Sequence, residues 1–98
     1  MRMVGLFEKC EEVVRMLEVL TEYHDVRWER IGTTEYKVPI ARNFVSLEYS
    51  KDDEVPCVKL KLYGDQGDLR DELVFRHGVK GYLEVKRLYD SAKNSIGE

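Results

Sequence analysis

Ninety-eight residues with a net charge of −3 supply one hydrophobic core and are too few for two. With 43% hydrophobic and 36% charged residues the chain can offset its conformational entropy under a densely ionic surface, which excludes disorder. No apolar run approaches the roughly 20 residues of a membrane helix and no secretory signal opens the chain, so one domain over residues 1–98, a cytoplasmic address and no membrane partner are expected.

Charge is uneven along the chain. Residues 1–25 hold three basic and six acidic side chains, whereas residues 79–98 hold four and three. An acidic N-terminal element argues against nucleic acid as the main partner, although a local basic patch stays open. Cys10 and Cys57 lack CxxC spacing and paired histidines, so free thiols in a reducing compartment are expected.

From Met3 to Tyr23, Met3, Leu6, Cys10, Val13, Leu17 and Leu20 recur in alternating threes and fours, the seam of an amphipathic helix. Phe7, Val14, Met16 and Val19 lie beside or beyond that seam and widen the apolar arc. They face either a second subunit or loops of the same chain. Glu8, Glu11, Glu12, Arg15, Glu18 and Glu22 make the outer face, and the helix should end near His24 and Asp25.

Val26 to Ile31 then alternates as a first strand, with Val26 and Trp28 on the core side. After the turn Gly32-Thr33-Thr34, Tyr36, Val38 and Ile40 alternate on even positions, but Val45, Leu47 and Tyr49 alternate on odd ones. A bulge near residues 41–44 would join these halves into one bent strand. Ser50 to Pro56 reads as a polar loop. In Cys57 to Tyr63 the even positions are aliphatic and the odd ones include Lys59, Lys61 and Tyr63, the pattern of a strand with one buried and one wet face. Gly64 to Asp68 supplies a reversal, and Leu69 to Phe75 forms a returning strand or, alternatively, a short helix. Beyond a hinge at residues 77–81, Tyr82, Val85, Leu88, Tyr89, Ala92 and Ile96 share one side of a final helix. The expected fold is α+β: a small antiparallel meander of three to four strands flanked by an N-terminal and a C-terminal α-helix.

Chemistry is sparsely signalled. A hydrolase or transferase needs a base, most often histidine, and only His24 and His77 are present. His24-Asp25 has no further histidine to complete a metal site, and no sequence feature marks Cys57 as an activated nucleophile. Neither Asp52-Asp53-Glu54 nor Asp65 to Asp68 carries the spacing of a calcium loop, and Gly64 and Gly67 form no phosphate cradle. No catalytic residue, metal ligand or cofactor is therefore expected.

Two surfaces are left as candidates. Met3, Phe7, Val14, Met16 and Val19 on the first helix form a self-association face, which makes the expected function that of a non-enzymatic protein-interaction or regulatory domain acting as a homodimer, with a sheet edge as a possible second contact. Arg27, Lys59, Lys61 and Tyr63 form a candidate basic surface, since cations interleaved with an aromatic ring can hold single-stranded nucleic acid. A further reading makes the acidic helix face, with Glu8, Glu12, Glu18 and Glu22, an inhibitor that engages a basic surface or mimics a nucleic acid.

Overall fold

The computed structural model describes residues 6–97, with side chains from residue 10 onward. Its elements are α1 (Leu6–Glu22), β1 (Glu29–Arg30), β2 (Glu35–Ile40), β3 (Asn43–Asp52), β4 (Val55–Tyr63), β5 (Leu69–Arg76) and α2 (Tyr82–Ser95). The α+β class and the antiparallel meander agree with expectation. The strand number does not: the sheet has five strands, in the order β1-β2-β3-β4-β5.

The extra strand comes from a reversal in place of the expected bulge at residues 41–44. Ala41, at φ 53, and Arg42 turn the chain so that Ile40 faces Asn43 and even-numbered Val38 faces odd-numbered Val45. A two-residue hairpin shifts parity just as a bulge does, so alternation alone cannot separate them. The expected polar loop from Ser50 to Pro56 is likewise overturned. β3 runs to Asp52 and β4 starts at Val55, leaving Asp53 and Glu54, at φ 50 and 67, as the whole turn. The first strand is only Glu29–Arg30, whereas Leu69–Arg76 is a strand along its full length.

Both helices lie on one face of the sheet. Tyr36 and Val38 of β2, Val45 and Leu47 of β3, and Val58 and Leu60 of β4 form the buried floor, and Val85, Leu88 and Ala92 of α2 pack against it. Tyr82 and Tyr89 complete the expected α2 face, and Ile96 packs half-buried just past the helix end. The Tyr89 hydroxyl donates to the Thr34 carbonyl at 3.1 Å, which fixes α2 over the start of β2. Gly81 starts α2 at φ 94 against Phe75, where a Cβ would come within 2.9 Å of the ring, so only glycine fits this approach of helix to strand.

α1 runs in the same direction as α2. Cys10 lines a groove with Gly81, Arg87 bonds Glu18, and Thr21 lines a cleft with Asn94 and Ser95. Its buried line is Val14, Leu17 and Thr21, while Cys10 and Val13 are half-buried. The helix is thus rotated from the expected seam towards Val14 and Thr21. The reason is polar. Trp28 Nε1 donates to Thr21 Oγ1 at 2.8 Å, and that hydroxyl donates to the Leu17 carbonyl at 2.6 Å, so a buried indole N–H and a buried hydroxyl satisfy each other. The helix ends in a Schellman arrangement: Asp25 N–H bonds Leu20 O and His24 N–H bonds Thr21 O, with His24 at φ 59 where glycine is usual.

Candidate functional site

The rotation of α1 decides which of its apolar residues stay outside. Val14, expected on the self-association face, is 4% exposed and belongs to the core. Met16 and Val19 are 41% and 48% exposed, and Tyr23, one turn beyond Val19, is 70% exposed. These three positions recur at i, i+3 and i+7, so they form a stripe along the outward side of the helix. Met3 and the Phe7 side chain lie outside the described residues. Tyr23 was missed by sequence reasoning because it stands at the helix end, where the seam pattern stops. Glu18, one of the expected acidic face, is held by the Arg87 guanidinium at 2.9 Å. Glu11, Glu12 and Glu22 remain exposed.

The sheet face opposite the helices carries three members of the expected basic patch, Lys59, Lys61 and Tyr63, but in a different state. Lys61 Nζ lies 3.1 Å from Glu48 Oε1 and 3.8 Å from Glu35 Oε2, and the Ser46 hydroxyl donates to Glu35 Oε2 at 2.9 Å. Burial draws the Lys61 ammonium down, but the Glu48 hydrogen bond and the charges of Glu35 and Glu48 outweigh it, and the net shift is upward. A lysine committed to two carboxylates is poorly placed to hold phosphate. Lys59 lies in the next row, between Glu48 and Val74. Tyr63 stacks on Phe44 with ring centroids 4.6 Å apart, and Lys37 sits 5.1 Å above the Phe44 ring. Arg27 is not brought alongside. It precedes β1, and β2 and β3 separate β1 from β4, a span of about 14 Å at the usual strand spacing. Arg27, Lys59, Lys61 and Tyr63 therefore do not form one patch.

The remaining reactive side chains are dispersed. His24 caps α1, and His77 meets the Tyr82 ring edge-on at a centroid distance of 5.3 Å. Both cysteines are free thiols. Burial, with a smaller contribution from Glu11, pushes the Cys10 thiol pKa up, which works against a nucleophilic thiolate at neutral pH. Cys57 Sγ lies 3.2 Å from Ser50 Oγ on the outer face. Among the described residues no three His, Cys, Asp or Glu side chains are grouped to hold a metal ion, and no helix is long and apolar enough to cross a membrane.

A groove of about 680 Å³ opens between α1, β5 and the start of α2, with Cys10, Val14, Leu73, Phe75, Gly81 and Val85 among its walls. Its β5 wall is also the end of the sheet. Leu69 and Val74 on that strand are 53% and 46% exposed. Compared with protein-family models, with curated proteins and with solved structures, the chain finds no match in any of the three.

Proposed function

We propose that this chain is a non-enzymatic protein-interaction domain that works by self-association. The observation that carries the reading is apolar surface left outside a well-formed core: Met16 and Val19 on α1, Tyr23 just past its end, and Leu69 and Val74 on β5. The dispersal of His24, His77, Cys10 and Cys57 to separate elements adds support, since acid–base or nucleophilic chemistry needs such groups within hydrogen-bond reach. Two free thiols suit a reducing, cytoplasmic setting. Sedimentation equilibrium on the full chain tests the reading: molar mass should rise with concentration, and a strict monomer at high micromolar concentration would overturn it.

Exposed Glu11, Glu12 and Glu22 favour a second reading, in which the acidic side of α1 binds a basic surface. Salt separates the two. Binding through carboxylates weakens steeply as ionic strength rises, whereas association through apolar or backbone contacts holds or strengthens.

A further inference from the structure

The two ends of the sheet are unlike. β1 is two residues long, while β5 is eight residues long and last in the strand order, so among the described residues one of its sides has no strand beside it. Which backbone groups face that open side follows from the ladder. Arg76 is the partner of Cys57, and His77 N–H bonds Pro56 O at 2.9 Å. In an antiparallel ladder, a bond from the residue after one partner to the residue before the other flanks a non-hydrogen-bonded pair. Arg76 therefore turns its N–H and C=O away from β4, its carbonyl already accepting the Val79 N–H at 3.0 Å and keeping one lone pair for a second donor. By alternation Val74 and Glu72 do the same, the Glu72 N–H being held at 2.9 Å by the exposed Asp71 Oδ1, which a second strand would displace, and Leu73 and Phe75 spend theirs on β4.

The geometry points to a second copy of this chain as the occupant of that edge, joined antiparallel about a twofold axis at Val74 to make one continuous sheet. This rests on the self-association reading above and gives it a surface: the β5 edge in place of α1. Charge selects the register. With Val74 opposite its symmetry mate, Glu72 of each copy lies opposite Arg76 of the other, and outward-facing backbone groups meet outward-facing ones. On the helix side Leu73 meets Phe75 of the second copy, which extends apolar packing across the groove mouth. Shifts towards Glu72 fail, and a shift to Phe75 loses both Glu72–Arg76 pairs. Centring on Leu73 sets Arg70 against Arg76, and centring on Glu72 sets two glutamates face to face, each a like-charge pair across the strands. Arg76 already bonds Asp52 through one guanidinium nitrogen, and the planar guanidinium has further donors for Glu72 of the second copy. Edge strands are kept unpaired by proline, by bulges or by charge; Glu72 to Arg76 has no proline and no bulge, and its charges, Glu72 and Arg76, are of opposite sign and meet across the twofold. An interface of one strand per copy is small, so the association is concentration-dependent.

Sedimentation equilibrium of the full chain and four variants tests this, with circular dichroism as the check on folding. Val74→Pro removes an N–H that β4 does not use, so the variant folds and is monomeric. Glu72→Arg and Arg76→Glu each weaken association by about tenfold or more, and the double variant E72R/R76E restores it, because the swapped charges again face each other. Met16→Ser with Val19→Ser alters the competing α1 stripe and, with β5 as the seam, leaves the dimer intact. A dimer that survives Val74→Pro and Glu72→Arg but is lost on changing Met16 and Val19 overturns the edge while self-association stands. Loss in both single charge variants without rescue in the double overturns the register, and a monomeric wild-type chain overturns both readings together.

Discussion

On the helix-covered face of the sheet Leu47, Val58 and Leu60 are sealed by other elements, while on the opposite face Ser46 and Cys57 are 0% and 2% exposed beneath long side chains of the strands themselves. The first face is buried by apolar packing between layers. On the second, Lys61 reaches across to Glu48 and Glu35, and Phe44 stacks on Tyr63, so small residues disappear beneath their long neighbours. The sheet face opposite the helices can thus be as dry at its centre as the one beneath them, at the cost of tying up the charges that a ligand would need.

Substitutions on the two faces should separate these mechanisms. Leu60→Ala, under the helices, should have the largest effect, about 2–5 kcal/mol of stability as read from the urea midpoint, because both the transfer term and the cavity fall on packed neighbours. Lys61→Met should cost less, about 1–2 kcal/mol, since it leaves Glu35 and Glu48 facing each other but partly hydrated. A loss from Lys61→Met equal to that from Leu60→Ala would erase the distinction. Tyr63→Ser should cost about 1 kcal/mol, the value of an aromatic pair at a half-buried site, with the urea slope unchanged.

Both faces also respond to alkali, and with the same sign. Burial, helped by Glu11, raises the Cys10 thiol above 9.0, and burial raises the Tyr82 phenol above 10.0. The two glutamates raise Lys61 above 10.5 against the opposing pull of its own burial. Each group holds its proton more tightly in the folded chain than in the unfolded one, so its contribution is complete below the ordinary value and is lost as pH rises through the folded value. The urea midpoint should fall progressively from pH 9 upward. Lys61→Met should remove only the part of that fall lying above pH 10.5, and an unchanged profile in that variant would show that the outer cluster does not titrate with folding.

Much of this arrangement was legible in the residues. The alternation in Cys57 to Tyr63 and the wheel of Tyr82, Val85, Leu88, Tyr89 and Ala92 each leave one solution, because an opposite placement would expose the apolar set. Other features admit two. The phase change between Ile40 and Val45 has the same pattern for a bulge and for a hairpin, and only the partners across the ladder decide. α1 is apolar over so wide an arc that its rotation was settled by Thr21, a polar residue whose hydroxyl is required by an indole seven positions later. Lys59 and Lys61 look alike in a strand, and they differ because the meander sets Lys61 within reach of both Glu35 and Glu48. The outward turn of the Val74 backbone has no sequence signal, since it depends on which side of the ladder β4 occupies.

The parallel course of α1 and α2 also has a consequence for how the chain assembles. Every strand pairs with its sequence neighbour, so the meander closes short loops and can form early. α1 meets β5 and α2, which lie at the far end of the chain, as the 69-residue separation of Glu18 and Arg87 records. Its docking closes the longest loops in the chain, and in native-state hydrogen exchange its amides should open at a lower free energy than those of β3 and β4, releasing Trp28 from Thr21 while the sheet beneath remains closed.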